Sequence, residues 1–253
     1  MAASKKKASA STGKAVANVD EELSKEVANI KDQVGAPAGN NIRLQDKMFT
    51  FPDGRVDEGP LEMVVVDFMS WNAYYPERYD PKNPKPPVCW AFGKDINELT
   101  PSSNSPEVQA DACTGCWANE FGSGVGDGKA CKNTRQIIVM DPNDDPAEGD
   151  LYKISVPPTS LKRFDAFVNG VARIYQKPPI AVVTKIMFHP ESTYASLVFT
   201  DPKPNPNYRE HYARRDEARL MLEAEPDLSN YEAPKASSKK KASSKKKATA
   251  RSR

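Results

Sequence analysis

The sequence predicts a mainly β domain accompanied by a few helices and flanked by unstructured basic ends. Three observations predict it. From Ile42 onward, short runs rich in Val, Ile, Phe and Tyr alternate with Gly, Pro, Asn and Asp, the texture of strands between turns. Only a few stretches place apolar residues at helical spacings of three and four. At both ends the composition collapses to Ala, Ser and Lys, which cannot bury a core.

Taken in order, residues 1–19 are expected to be disordered. Asp20–Val34 reads as a short amphipathic helix, with Leu23, Val27, Ile30 and Val34 on one face and Asp20 as its cap. Gly35–Asn41 is a linker. Strands are expected at Arg43–Phe51, Leu61–Trp71, Val88–Phe92, Arg135–Met140, Leu151–Val156, Ile180–Phe188 and Thr193–Thr200. Pro157–Ser160 caps a helix over Leu161–Tyr175, whose Leu161, Phe164, Phe167, Val168, Val171 and Ile174 share a face. A further helix is expected at Tyr208–Leu222. Short strands with a helix before the last pair suggest an OB-like barrel, a five-stranded, partly open Greek-key architecture. The division is then a basic arm with a short helix (1–40), an OB-like domain (41–222) carrying a zinc-binding insertion (76–132), and an acidic connector with a Lys-rich disordered tail (223–253). In that tail Ala-Ser-Ser-Lys-Lys-Lys occurs twice, at 236–241 and 242–247.

The insertion is where chemistry is concentrated. A loop of this length needs something to order it, and all four cysteines lie in it, as Cys89-x23-Cys113-x2-Cys116-x14-Cys131. Two residues between thiolates let a tight turn present both sulfurs to one tetrahedral ion, and Gly115 supplies backbone freedom inside that turn. The expectation is a structural zinc ion held by Cys89, Cys113, Cys116 and Cys131. An iron–sulfur cluster, redox chemistry at the CxxC pair and ordinary buried thiols are the alternatives. Gly122–Lys129 reads as a flexible arm that lets Cys131 reach the metal; it lacks the spacing of a P-loop. His189 and His211 are read as surface or packing residues. Nothing in the sequence assembles a nucleophile with an acid or base, so a non-enzyme is expected.

Aromatic and basic residues crowd around the same cysteines. Residues 71–135 hold eight of the chain's 21 aromatics, including every tryptophan. Aromatic faces stack on bases and neighbouring cations hold phosphates, so the composition suits a single-stranded nucleic acid. The nominated residues are Trp71, Tyr74, Tyr75, Arg78, Trp90, Lys94, Lys129, Lys132 and Arg135, the aromatics chosen for lying at or beside strand ends. Packing around the metal is the competing role for the aromatics.

The net charge of +2 hides an asymmetry. Residues 15–234 hold 23 basic against all 34 acidic residues, a net of −11, while 235–253 carry seven lysines, Arg251 and Arg253. The field of the body opposes a polyanion, so a nucleic-acid site there must be a local patch; the single-sign tail attracts polyanions by counterion release. No apolar run is long enough to span a membrane, and no apolar segment follows the N-terminal lysines as in a secretory signal. A cytoplasmic protein is expected.

The stretch from Leu61 to Phe199 resembles a group of tailed-phage proteins. The resemblance rests on Trp71-Asn72-x-Tyr74-Tyr75, Pro87-x-Cys89, Cys113-x-x-Cys116, Asn119-x-Phe121-Gly122-Ser123, Gly128-Lys129-Ala130-Cys131-Lys132 and Ala181-Val182-Val183-Thr184-x-Ile186. The group looks like the zinc-containing, OB-fold single-stranded-DNA-binding proteins of phage replication modules. It implies sequence-nonspecific binding of single-stranded DNA in replication or recombination, in a host cell's cytoplasm. The implied partners are the strand, other replication proteins and further copies of the chain coating the strand. Such proteins often end in an acidic tail that recruits partners, whereas here the acidic Glu223–Asp227 is followed by lysines. The rival functions are a phage structural or nucleoid-associated protein that binds duplex DNA, and a zinc-ribbon transcription or interaction module.

Overall fold

The computed structural model describes residues 40–77, 80, 84–229 and 231. The expected helix Asp20–Val34, Arg78 and the Lys-rich tail lie outside the described residues. Among the described residues nine strands form one curled mixed sheet, a half-barrel, with three α-helices: β1 (Asn41–Gln45), β2 (Met48–Thr50), β3 (Val56–Asp57), β4 (Leu61–Tyr74), β5 (Cys89–Gly93), β6 (Cys131–Met140), β7 (Tyr152–Val156), α1 (Leu161–Tyr175), β8 (Val182–Phe188), β9 (Leu197–Pro204), α2 (Tyr208–Ala213) and α3 (Arg215–Glu223). The sheet order is β3-β2-β1-β7-β6-β4-β8-β9, and β5 joins separately along β4. β1 and β7 run parallel; the other pairs are antiparallel.

β4 organises the sheet. Along one edge it pairs with β6 from Val64 to Tyr74. Along the other it changes partner: Leu61–Val64 pair with β8, and Ser70–Tyr74 pair with β5. Its run Met63-Val64-Val65-Val66 is buried throughout, as expected of a strand covered on both faces. Val65 and Met63 join Ile137, Val139, Ile154 and Val156 in the core under α1. Val64, Val66 and Met69 join Ile138 and Met140 in a second core closed by Ala218 and Leu222 of α3. Register irregularities at Val65/Asp67 in β4 and at Val183/Lys185 in β8 fall within these strands; bulges of this kind increase local twist and bend a sheet.

The expected strand Arg43–Phe51 is a hairpin instead. Asp46 and Lys47 both take positive φ (51° and 58°), the geometry of a primed two-residue turn, and the chain reverses there. Asn-Gly or Asp-Gly usually marks such a turn, so Asp-Lys gave no warning. Helix α1 occupies the expected residues. The expected helix Tyr208–Leu222 is broken at Arg214 (φ −84°, ψ 0°). Arg214 Nε donates to Glu217 and Nη1 donates to the carbonyl of Gly149 at 3.0 Å, which holds the break against the 141–150 loop. His211 is buried: its Nδ1 faces the Asn205 amide at 2.9 Å, and that amide donates to the Ile180 carbonyl. Burial lowers the His211 pKa, keeping the ring neutral.

Phe164 anchors α1. It is fully buried, and its ring meets Phe68 at 5.2 Å and Phe199 at 5.1 Å, both edge-on. Phe164→Ala is expected to cost about 3–5 kcal/mol, the usual range for emptying a buried aromatic site, read as a lowered urea midpoint with an unchanged slope.

Candidate functional site

The sequence features converge at the end of β4 that carries Tyr74. There β5 and β6 flank it, with Cys89 and Cys131 both in register with Tyr74. Residues 94–130 pack over this end. Their order comes from the outer edge of β5. Ser102 N–H donates to the Trp90 carbonyl (2.8 Å), Glu107 N–H donates to that of Val88 (2.8 Å), and Trp90 N–H donates to Ser105 Oγ (3.1 Å). Leu99 packs on Ala91 and Cys113.

This arrangement corrects the zinc expectation. Among the described residues, no group of three or more His, Cys, Asp or Glu side chains is placed to hold a metal ion, which removes the iron–sulfur alternative as well. Cys89, Cys113, Cys116 and Cys131 do lie around one small cavity of about 20 Å³, together with Asn72, Tyr74 and Ala118. All four are free. Burial raises the thiol pKa values of Cys89 and Cys113. Burial first, and then repulsion from the other three sulfurs, pushes Cys131 up to about 12. The spacing brings the sulfurs into one neighbourhood, where burial favours the S–H form of Cys89, Cys113 and Cys131. Of the alternatives, buried thiols fit this arrangement. The long loop is ordered by backbone pairing and apolar packing, which its sequence did not advertise.

Gly115 has φ +77°, as the tight CxxC turn needs. The expected flexible arm is a hydrogen-bonded loop. Gly122 and Gly124 N–H both donate to the Gly128 carbonyl (3.0 and 2.9 Å), and Ala130 N–H donates to Ser123 Oγ. A Cβ on Gly124 would stand 2.7 Å from the Lys129 backbone, so only glycine fits there.

The nominated aromatic and basic residues separate into several places. Tyr75 is 37 % exposed, with Lys132 Nζ 5.4 Å from its ring centre. Tyr74 turns the other way and meets Trp117 edge-on at 5.4 Å. Trp71 is half-buried and stacked on Phe92, 5.0 Å apart and 7° from parallel. Trp90 is only 1 % exposed and offers no face to a ligand. Arg135 is half-buried beside Asp165 of α1, at 3.7 Å. Lys94 is exposed just beyond β5, away from Tyr75. Lys129 donates to Asn119 Oδ1 at 3.1 Å and stands 5.0 Å from the Phe121 ring centre.

Two residues absent from the nominated set are the most conspicuous ones. Trp117 is 47 % exposed and Phe121 83 % exposed. Both sit in the loop after the CxxC turn, so a choice based on strand ends passed over them. The signal was there: large apolar rings beside glycines and a lysine, in a loop with no strand to bury them. Three contacts make up the aromatic and basic rim of this end of the sheet: Tyr74 with Trp117, Lys129 with Phe121, and Lys132 with Tyr75. Exposed Glu120 and Asp127 share the rim, so the positive field is local.

The C-terminal connector returns to the same region. The Glu225 carboxylate accepts from Ser102 Oγ and from Asn104 Nδ2, which lowers its pKa, and Tyr231 Oη donates to Glu107 at 3.2 Å. No helix among the described residues is long and apolar enough to cross a membrane. Comparison with family models, with curated proteins and with solved structures returned no significant match.

The Cys131 shift gives a pH signature. The unfolded thiol ionises near about 8.5, whereas the folded one ionises near 12. Between these values the unfolded chain binds fewer protons, so the contribution is full below the lower value and lost as pH rises through the window. The melting temperature is expected to fall between pH 9 and pH 12 and to fall less steeply in Cys131→Ala. Identical pH profiles for the two proteins would show that this thiol is not held neutral.

Proposed function

We propose that this protein binds single-stranded nucleic acid, without sequence preference, at the rim formed by Tyr74, Tyr75, Trp117, Phe121, Lys129 and Lys132. The observation that carries the reading is the exposure of Trp117 and Phe121, with Lys129 set against the Phe121 ring and Lys132 against the Tyr75 ring. Each ring offers a face to an unstacked base, and each lysine a cation to a neighbouring phosphate. A paired duplex hides its bases from such rings, so the rim suits a single strand.

We read the half-barrel as an OB-like scaffold, with the insertion placing its rings at one mouth. In this reading the chain is a binder and not an enzyme. It coats single-stranded DNA during phage replication or recombination, alongside other replication proteins and further copies of itself. The acidic body opposes the polyanion, and the Lys-rich residues 235–253 offset that field.

Trp117→Ala and Phe121→Ala are each expected to weaken binding to a fluorescent oligothymidylate by about fivefold to 150-fold, since a stacked base contributes about 1–3 kcal/mol. Both should leave the melting temperature nearly unchanged. Trp90→Ala, by contrast, should lower the melting temperature. Wild-type affinity in both rim variants would remove the rim from the site.

Removing residues 235–253 deletes nine cations. Binding to single strands should survive, with a flatter dependence of log Kd on log salt concentration. A tailless protein that prefers duplex DNA, or binds nothing, would refute the function.

A further inference from the structure

Helix α3 covers only part of its face of the sheet. Its Ala218 and Leu222 pack with Met69 of β4 and Ile138 of β6, and Met221 lies against the same cluster. The next positions on that face follow from the register and from the alternation of side chains along a strand. Trp71 of β4 lies between Phe92 of β5 and Thr134 of β6, and Gln136 of β6 lies beside Ser155 of β7. Further along, Ala73 and its β5 neighbour Trp90 are buried. Between α3 and Trp90 runs a strip of half-buried and exposed side chains. It holds the stacked rings of Trp71 and Phe92, then Thr134, Gln136 and Ser155.

The β1 side of the strip is positive. Lys153 of β7 pairs with Ile138 and with Asn41, so it shares this face. It is half-buried, its Nζ donates to the Met221 carbonyl at 3.4 Å, and burial lowers its pKa. Arg43, two residues along β1 from Asn41, points the same way by alternation and is exposed. Among the described residues neither cation has a carboxylate partner.

We propose that the chain's own segment Asp20–Val34, which lies outside the described residues, docks on this strip as a helix. Leu23, Val27, Ile30 and Val34 lie against Trp71, Phe92 and Met221, and Glu22 and Glu26, on the flank of that stripe, face the positive side. Three observations select this occupant. The segment carries an apolar stripe at helical spacing, which a stable helix must cover. It holds five acids against Lys25 and Lys31, the charge opposite to that of the β1 side. It also reaches. The Asn40 carbonyl accepts from the Lys153 N–H at 2.7 Å, so the chain enters the sheet beside the strip. The six steps from Val34 to Asn40 span up to about 20 Å, and the three strand spacings from β1 to β4 come to about 14 Å. A second copy could offer the same stripe, but a short linker holds the chain's own segment at an effective concentration on the order of millimolar. The inference does not rest on strand binding at the rim.

The test is amide hydrogen exchange of the full-length protein beside three full-length variants: Leu23→Asp with Ile30→Asp, Arg43→Glu, and Ser155→Glu. An isolated helix of this length is marginal in water, so protection over residues 20–34 reports docking. Protection of about tenfold or more is expected in the wild type and should vanish in the Leu23→Asp, Ile30→Asp protein. Arg43 and Ser155 are exposed and lie outside the segment, so a severalfold loss of its protection in Arg43→Glu or Ser155→Glu locates the docking on the strip. In 15N spectra the amides of Trp71 and Phe92 should shift between wild type and the Leu23→Asp, Ile30→Asp protein, while those of Phe121 and Lys129 stay in place. Unprotected residues 20–34, protection indifferent to both Arg43→Glu and Ser155→Glu, or unmoved Trp71 and Phe92 amides would overturn the proposal. Protection that rises with protein concentration would overturn it too, by assigning the strip to a second copy.

Discussion

Much of this structure follows from the demand that β4 be covered on both faces and paired along both edges. A strand of 14 residues is longer than any one neighbour here, so no single strand satisfies its second edge. Unpaired backbone groups away from water are costly, and two partners share the edge. That division sets the positions of β5 and β8, opens the gap between them, and carries the far end of β4 beyond the main core to where the insertion sits. The helices answer the other half of the demand. α1 covers one face through Phe164, Phe167 and Val171, and α3 covers the other through Ala218 and Leu222.

The same geometry bears on how a body with net charge −11 could carry the strand-binding rim proposed above. The rim projects from one end of the sheet, away from the acidic 141–150 loop, and its lysines are held by short-range partners: Lys129 by Asn119 and Phe121, Lys132 by Tyr75. Over a Debye length of about 8 Å at physiological salt, such a patch is felt by a contacting phosphate while the remote carboxylates are screened.

The fold was largely legible in the sequence where side-chain pattern decides it. Helix α1 and the strands through Val64, Ile138, Ile154 and Ile186 were marked by apolar periodicity, which reports burial directly. The turn at Asp46-Lys47 and the break at Arg214 were not, because backbone geometry there is set by tertiary contacts that no local residue type announces. The candidate site was legible as a region and not as a residue set. Aromatic density pointed to residues 71–135, but which rings are buried depends on packing. Trp90 lies under the 102–107 loop and Trp117 outside it, although both flank cysteines. The cysteine spacing foretold that the sulfurs would meet; it could not foretell that their side chains would not be placed to hold a metal ion.

The connector residues Glu225 and Tyr231 have a consequence for the order in which the molecule can be completed. Glu225 and Tyr231 close over Ser102, Asn104 and Glu107, partners that precede them by more than 120 positions, and Glu225 lies beside Trp90. A ribosome adds residues at about 5–20 per second, so these partners wait roughly 6–25 s for their cover. The outer edge of β5 and the indole beneath it are therefore the last part of the domain to be sealed. During synthesis they are the surface that a chaperone meets, and the first place from which a stalled chain would aggregate.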